Sequence, residues 1–373
     1  MRIIVIGPIA PYKGGISHVN TLLYRSLSKK YKVDLISWKR RYPALLYPVE
    51  QLDKTSRKKV NSDPRFVLDC LNPFTWLKAF FIIKRKKPQL IIFHWVTPLL
   101  SPILSTISFL TKHFTKTKIL VICNNVLPHE ERFFDIFLSK IFFNNVDYFI
   151  THSKEDLRNL KSLKKDANAK LGALAEFSIF DKKKYNVREI KKDLKLKEKV
   201  ILFFGFVRKY KGLEYLIKAM PLILKEIDVD LLIAGEFWGN KEYYTDLIDS
   251  LKLKKNIKII DGYVPDKEVS KYFSLADVVI LPCITATQSG IIRIALDFNK
   301  PVITTNVGGL PDVIKDGKTG FVVKPRNFAE IAKAVIRFYK EGKKKEFVKN
   351  VIKEKNRFSW EKYIKLIEDF IEH

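Results

Sequence analysis

Cysteine is scarce in this sequence of 373 residues, which has only Cys70, Cys123 and Cys283 and contains no CxxC pair. Widely spaced single cysteines argue against a disulfide framework and against a cysteine-based zinc site. They are typical of a chain kept in a reducing compartment. We therefore expect a cytoplasmic protein without structural disulfides.

Long apolar runs are also missing. The first apolar run, Ile3–Ile6, is shorter than the ~7–15 residues of a secretory signal. The longest candidate for a membrane-spanning segment, Val96–Leu110, contains two prolines and stays below ~18 apolar residues. We therefore expect neither a signal peptide nor a membrane span. Apolar residues still make up 47% of the chain, enough for two domains of ~150–200 residues each.

Acidic residues are outnumbered, with 40 Asp+Glu against 69 Lys+Arg and a net charge of +29. Residues 1–100 hold 19 basic and 5 acidic side chains, whereas residues 201–373 hold 30 and 23. This pattern indicates either an anionic partner or a general lysine bias. The candidate partners are an acidic glycan, a phosphorylated acceptor and an anionic membrane surface at the inner face of the plasma membrane. We expect no nucleic-acid partner, because no recognised reading element is present.

Two successive series of short buried strands and amphipathic helices are present. Strands without strict alternation of apolar and polar residues are typical of parallel sheets covered on both faces. The lysine-rich stretch 182–199 separates the two series and has the composition of a linker. We therefore predict an α/β protein with two doubly wound Rossmann-like domains facing a cleft. The predicted strands are Ile3–Ile6, Lys32–Ser37, Leu90–Phe93, Ile119–Ile122, Tyr148–His152, Val200–Phe204, Asp230–Ala234, Ile257–Asp261, Val278–Leu281, Pro301–Thr304 and Gly320–Val323.

Glycine-containing loops follow the first strand of each series. In the first series, Gly14 and Gly15 precede a predicted helix, where backbone N–H groups could approach a phosphate. The spacing is not GxGxxG, and a simple turn that needs positive φ is the interpretation that we favour for this loop on its own. In the second series, Arg208 and Lys211 lie three residues apart before Gly212. Two cations beside a helix N-terminus suit a diphosphate, with two solvated side chains as the alternative.

Two further loops in the second series offer donors to an anion. Gln288, Ser289 and Gly290 follow a buried strand and supply polar side chains and N–H groups. Gly308 and Gly309 follow the next strand, at the edge of the sheet where open α/β sheets bind ligands. No DxD motif follows a predicted strand, so no metal is expected, and Arg208 with Lys211 would carry the charge.

The motifs GFVRKYKG, LLIAGE, DGYVPDKEVSKYFSLADVVILP, ATQSG, KPVITTNVGGLPDVIKDGKTGFVV and FSWEKY resemble the family-four group of retaining glycosyltransferases with the GT-B fold. The resemblance covers residues 200–365 in order. It implies an acceptor-binding domain 1–182, a nucleotide-sugar-binding domain 183–357, and a last segment 358–373 that crosses back to the first domain. It implies a UDP- or GDP-linked sugar as co-substrate and a glycan or lipid-linked acceptor, with retention of the anomeric configuration. It also implies a role in assembling cell-surface polysaccharide or glycolipid.

The chain departs from the family where most members carry Glu-x7-Glu, whose second Glu holds the donor ribose. Those positions are Ala286 and Ile294 here, so the ribose contact is missing. A catalytically inactive GT-B protein that binds glycan or nucleotide sugar is therefore the alternative. The polar residues left to replace the contact are Gln288, Ser289 and Asp297.

Two other family positions differ. Phe206 stands where the family usually has an arginine, which Arg208 is placed to replace, and Asn124 stands where related ATQSG sequences have a histidine. His129, Glu130 and His152 are the expected catalytic residues, with the first two orienting the acceptor. A purely structural role for any one of these histidines is equally compatible with the sequence.

The segment Phe74–Lys87 combines bulky apolar residues with a basic end. Such a segment suits a membrane interface with anionic lipid. It equally fits a Rossmann crossover helix whose C-terminal cations complement the helix dipole, and we favour that interpretation.

Overall fold

The computed structural model describes residues 1–43, 51–53, 64–128, 133–180 and 182–372. The chain divides into two compact units. Unit 1 comprises Met1–Ala175 together with Phe358–His373, and unit 2 comprises Glu176–Arg357. The stretch 182–199, interpreted above as a linker, lies within unit 2 and contains a helix, Val187–Asp193. The hydroxyl of Tyr185 lies 3.2 Å from that of Ser270, so this stretch packs against the rest of unit 2.

Unit 1 is built on one seven-stranded parallel sheet in the order β3-β2-β1-β4-β5-β6-β7. Its strands are β1 (Arg2–Ile6), β2 (Lys32–Arg40), β3 (Arg65–Asp69), β4 (Leu90–Trp95), β5 (Lys118–Cys123), β6 (Tyr148–Thr151) and β7 (Ala169–Leu171). Its helices are α1 (Gly15–Leu27), α2 (Pro73–Lys86), α3 (Ser101–Phe114), α4 (Asp135–Phe143), α5 (Lys154–Leu163) and α14 (Trp360–Glu368).

Unit 2 is built on a six-stranded parallel sheet in the order β10-β9-β8-β11-β12-β13. Its strands are β8 (Val200–Phe204), β9 (Asp230–Gly235), β10 (Ile257–Asp261), β11 (Val278–Leu281), β12 (Val302–Thr305) and β13 (Gly320–Val323). Its helices are α6 (Val187–Asp193), α7 (Leu213–Leu224), α8 (Lys241–Ser250), α9 (Asp266–Leu275), α10 (Gly290–Asp297), α11 (Leu310–Val313), α12 (Phe328–Lys340) and α13 (Lys343–Glu354).

Ten of the eleven predicted strands are confirmed to within two residues at either end, and the eleventh, β2, runs three residues further than predicted, to Arg40. The doubly wound α/β prediction is confirmed with them. The central strands are buried along their whole length because helices cover both faces of each sheet. In β4, for example, all six side chains are buried. β3 and β7 were not predicted, and both lie at the edges of the first sheet.

The last helix, α14, belongs to unit 1. Ser359 caps it by accepting a hydrogen bond from the backbone N–H of Lys362 at 3.4 Å. The carboxylate of Glu368 binds the ammonium of Lys30 at 3.0 Å and the hydroxyl of Tyr31 at 2.7 Å. These contacts fasten the end of the chain to the region between α1 and β2.

The segment Phe74–Lys87 forms α2, the crossover helix between β3 and β4. Asn72 caps its first turn by accepting from the N–H of Phe74 at 3.1 Å, and three basic residues occupy its last turn. Within the described part of the chain, no helix is both long enough and apolar enough to cross a bilayer.

Candidate nucleotide-sugar site

Three loops of unit 2 meet at one edge of its sheet. They follow β8, β11 and β12, which are adjacent and parallel, so their carboxyl ends lie side by side. From β8 the chain continues to β9 on one side, whereas β11 continues to β12 on the other. β8 and β11 therefore flank the switch point of the sheet, where open α/β folds bind ligands.

Close backbone contacts hold these loops together. A methyl group built on Gly212 would lie 2.1 Å from the carbonyl oxygen of Pro282, and one on Gly308 would lie 1.6 Å from that of Ala286. Both glycines also have positive φ, at 67° and 50°. Only glycine lets the backbone approach so closely in this conformation. The N–H of Gly309 donates to the carbonyl of Thr287 at 2.9 Å, so it joins two loops and is already occupied.

Arg208 and Lys211 lie in the loop after β8, on a short 3-10 turn that leads into α7. The Lys211 ammonium lies 3.4 Å from the position that a methyl group on Gly205 would take, at the end of β8. Burial lowers the pKa of Lys211, and the nearby Arg208 lowers it further. Neither cation forms an ion pair with a carboxylate of any residue that the structure describes. An anion bound here would raise the pKa of Lys211.

The loop after β11 ends in the N-terminus of α10. Ser289 is the N-cap of this helix, and its Oγ lies 3.5 Å from the backbone N of Ile292. The first N–H groups of α10 have no intrahelical acceptor and favour a negative charge. The Oε1 atom of Gln288 is buried without a hydrogen-bond partner among the described residues. Gly290 serves packing, because a methyl group there would lie 3.2 Å from the ring of Phe177.

The ribose-contact positions are apolar and buried. Ala286 is 8% exposed and Ile294 is 5% exposed, so neither offers a polar contact to a ligand. Asp297, one of the proposed replacements, is buried at the other end of α10 and accepts from the Lys182 ammonium at 2.8 Å. One oxygen of its carboxylate therefore belongs to an ion pair within unit 2, whereas Oδ2 is buried without a hydrogen-bond partner among the described residues.

An aromatic cluster beside Arg208 was not anticipated from the sequence. Phe206 contacts Trp238 with ring centroids 5.2 Å apart and Tyr263 with centroids 6.3 Å apart. The guanidinium of Arg208 lies over the Trp238 ring, 4.8 Å from its centroid. The three rings follow β8, β9 and β10, so they line the same edge of the sheet as the cations. An aromatic residue within four positions of the end of each of these predicted strands was the signal that could have revealed them.

The expected donor residues of unit 1 lie at the start of α1. Gly14 precedes the helix with φ of 98°, and a methyl group there would meet nothing within 4 Å. Its positive φ, rather than a close approach, accounts for glycine at this position. Gly15 is the first residue of the helix and is exposed. The N–H of Ser17 donates to the carbonyl of Gly14 at 3.1 Å, so the N–H groups of Gly15 and Ile16 are the two at this helix start without an acceptor among the described residues, as in a simple strand-to-helix turn.

Two histidines lie near the carboxyl edge of the unit 1 sheet. His94 lies within β4, and its Nδ1 is 3.2 Å from the side-chain amide of Asn124. Burial, with the nearby His152 and Arg41, lowers the pKa of His94 to about 3. His152 follows β6, and its Nδ1 lies 2.8 Å from the carbonyl of Gly172. Since a carbonyl only accepts, Nδ1 of His152 carries a proton and Nε2 is left as the basic atom of the neutral ring.

His129 and Glu130, the other two expected catalytic residues, lie outside the described residues. Among the residues that are described, no three His, Cys, Asp or Glu side chains come together as a metal-ligand group.

Comparison with known proteins bears on both units. HepE of Anabaena, solved in complex with UDP, superposes over 100% of both chains with a TM-score of 0.77 at 15% identity. Sucrose-phosphate synthase of Thermosynechococcus elongatus superposes over 99% of this chain and 98% of its own, with a TM-score of 0.74 at 18% identity. The fold is GT-B. At these identities the likeness establishes the architecture alone.

Sequence comparison concentrates on unit 2. Residues 186–357 match the family model described as glycosyl transferases group 1, which is just under half of the chain. An uncharacterized glycosyltransferase of Methanocaldococcus jannaschii is 33% identical over 170 residues, which cover 45% of this chain and 43% of that protein. The chain thus spans less than half the length of this curated relative. The matched region contains all three loops of the GT-B site described above.

Proposed function

We propose that this protein is a glycosyltransferase that moves a sugar from a nucleoside diphosphate to a glycan or lipid-linked acceptor with retention of configuration. The observation that carries the proposal is the position of two cations, Arg208 and Lys211, at the switch point of the unit 2 sheet, where neither forms an ion pair with a carboxylate of a described residue. In this position they suit the two phosphates of an activated sugar. The group 1 match over residues 186–357 supports the same assignment.

The chemistry assigned to this site is stabilisation of charge. When the bond from the anomeric carbon to the diphosphate oxygen breaks, negative charge grows on the diphosphate and positive charge on the sugar ring. Arg208 and Lys211 stabilise the departing diphosphate, assisted by the N-terminal N–H groups of α10. The departing phosphate oxygen takes the acceptor proton as the new bond forms on the same face. The proposal assigns the diphosphate charge to these side chains rather than to a metal ion.

The aromatic cluster of Phe206, Trp238 and Tyr263 is the proposed platform for the nucleobase. Base faces stack on aromatic rings, and Arg208 beside Trp238 places the phosphate-binding charge next to that platform. Uridine is the first base to test, because HepE, which shares this fold, was solved with UDP. In unit 1, His152 is proposed to orient the acceptor through its Nε2. We further propose that the products belong to cell-surface polysaccharide or glycolipid.

A second function is a GT-B protein that binds a nucleotide sugar without turning it over. The specific observation in its favour is the apolar, buried pair Ala286 and Ile294 where most of the resembling family has Glu. Without that contact the donor ribose is held less firmly, although the diphosphate contacts remain. The two functions share the binding step and differ in turnover.

The test of the proposed site is calorimetric titration of UDP, GDP and ADP into the wild type and into Arg208→Ala and Lys211→Ala. Each substitution should weaken binding of the preferred nucleotide by ~1–3 kcal/mol, because it removes a charge-assisted bond to phosphate. The matched control is Lys209→Ala, an exposed cation in the same 3-10 turn, which should bind like the wild type. Equal affinity in all four proteins would contradict the site.

Turnover then separates the two functions. The wild type is incubated with the sugar derivative of the preferred nucleotide, with and without lipid-linked oligosaccharide, and release of the nucleoside diphosphate is measured. The glycosyltransferase proposal expects release that depends on Arg208 and Lys211. Tight binding without release over a range of sugars and acceptors would identify the binding protein instead.

A further inference from the structure

Large apolar side chains are exposed mainly on one part of unit 1. Within the described residues, eighteen are exposed, and twelve of them lie between residues 66 and 141. Phe74 is 80% exposed, Phe81 61% and Phe133 96%. The other nine are Phe66, Leu71, Leu77, Leu99, Phe109, Phe114, Ile136, Phe137 and Ile141. Contiguous apolar exposure of this kind marks an interaction surface rather than ordinary protein surface.

These side chains lie on one layer of the fold. Helices α2, α3 and α4 follow β3, β4 and β5, and the crossovers run in one direction along the sheet, so all three helices cover the same face. Phe80 of α2 contacts Phe114 of α3 with centroids 6.2 Å apart. Lys112 of α3 donates to the carbonyl of Asn144, at the end of α4, at 3.2 Å. The outward side of α2, α3 and α4, called here the outer helical face, is therefore continuous.

The charge of the outer helical face has one sign. Helices α2 and α3 contain no acidic residue, and the one acidic residue of α4, Asp135, is only 3% exposed. The exposed basic side chains of these helices are Lys78, Lys84, Arg85, Lys112 and Lys140. A surface of aromatic and basic side chains without carboxylates complements the anionic headgroups and acyl boundary of a bilayer. A symmetric contact with a second copy would instead bring like charges together without ion pairs.

A groove beside α2 adds a more specific feature. It has a volume of about 280 Å³ and is lined by Arg65, Lys78, Arg85, Phe81 and Ile82. Three cations around two apolar side chains suit a phosphate headgroup joined to the start of an acyl chain. None of the described residues that line this groove is acidic, so a phosphate bound there would meet no like charge from them.

We infer that the outer helical face binds the surface of an anionic phospholipid bilayer, with Phe74, Phe81 and their neighbours entering the headgroup region. The basic side chains bind lipid phosphates, and the exposed rings supply apolar area. This goes beyond the proposed glycosyl transfer, since binding to lipid requires no nucleotide and no turnover. It gives the basic N-terminal half of the chain a defined partner.

The test is flotation of the purified full chain with vesicles at about 0.15 M salt. One set contains equal parts of phosphatidylglycerol and phosphatidylcholine, and the other phosphatidylcholine alone. The wild type should float with the first set and much less with the second. Lys84→Glu/Arg85→Glu and Phe74→Ser/Phe81→Ser should each lower the bound fraction about tenfold on anionic vesicles.

Matched controls separate this surface from the general positive charge of the chain. Lys345→Glu/Lys349→Glu changes the same number of exposed charges on α13, and Phe328→Ser removes a ring that is 42% exposed. Both controls should float like the wild type, and circular dichroism checks that every variant is folded. The inference is overturned if the wild type does not float with anionic vesicles, or if the α13 variant loses as much binding as the α2 variant. It is also overturned if sedimentation shows a wild-type dimer that Phe74→Ser/Phe81→Ser dissociates.

Discussion

At the scale of single residues, His94 shows how burial sets a protonation state. The imidazole is buried in β4 beside His152 and Arg41, and its pKa falls to about 3. The unfolded chain takes up a proton at this histidine below about pH 6.5, whereas the folded chain does not until about pH 3. The unfolded state therefore binds more protons in this window, and stability falls as the pH is lowered through it.

We predict that acid weakens the wild type more than it weakens His94→Gln. Between pH 6.5 and 4 the difference should approach about 1.4 kcal/mol for each pH unit. Urea unfolding of both proteins at several pH values measures it. Asp156, whose burial raises its pKa to about 6, acts in the opposite direction but is common to both proteins. Parallel pH profiles would show that His94 is protonated freely in the folded state.

Residue patterns predicted the positions of the candidate site better than the role of each residue. The loop containing Arg208 and Lys211 was predicted to be a cationic turn before a helix, and it is one. Gly290, which is predicted to approach a ligand, also makes room for Phe177, more than one hundred residues earlier in the sequence. A contact between such distant residues leaves no local pattern, so it could not be predicted from one sequence.

At the scale of elements, the site depends on three loops that touch through their backbones. Gly308 is the tightest contact, since any side chain there would overlap the carbonyl of Ala286. That contact holds the loop after β12 against the loop after β11. The geometry of the whole edge therefore depends on a glycine that need not touch a ligand.

We predict that Gly308→Ala lowers both stability and nucleotide affinity. The matched control is Gly317→Ala, where φ is 69° and a methyl group would meet nothing within 4 Å. Gly317→Ala should lower the free energy of unfolding by about 1 kcal/mol, the usual cost of placing a residue with a side chain in a left-handed conformation. Gly308→Ala should lower the free energy of unfolding by at least ~2 kcal/mol more than Gly317→Ala, because the loops after β11 and β12 must also separate. Urea unfolding and UDP titration measure the two effects, and equal costs for both variants would show that the loops yield without strain.

The central strands of both sheets could be predicted, and so could the edge strands β10 and β13 of the second sheet, but the edge strands β3 and β7 of the first sheet could not. β8 is a run of five buried apolar residues, a pattern that no exposed segment would carry. β3 has one fully buried residue, Leu68, and β7 is three residues long with none. A strand that is buried on both faces needs a continuous run of apolar residues, which can be recognised in the sequence. A short edge strand is held mainly by its backbone hydrogen bonds and needs no such run.

At the scale of the whole molecule, charge is the property that composition fixes most firmly. The net charge of +29 means that at least 29 of the 69 basic side chains have no acidic partner of their own, whichever way the side chains turn. The ion pairs of the described residues lie largely at the surface, as in Lys315–Glu354 and Lys340–Glu226, and such pairs contribute little each. The destabilisation that comes from repulsion among the excess cations should therefore be larger than the stabilisation that these ion pairs provide.

We predict that salt stabilises this protein. Raising NaCl from about 0.05 M to about 0.5 M screens the repulsion and should raise Tm by about 2–6 °C in scanning calorimetry. Chloride bound between Arg208 and Lys211 would also raise Tm. The double variant Arg208→Ala/Lys211→Ala is therefore measured alongside the wild type. An equal rise in both proteins attributes the effect to general screening, because the variant lacks the anion site. A fall in Tm would mean that surface ion pairs dominate the balance, and a rise confined to the wild type would assign the stabilisation to the two cations after β8.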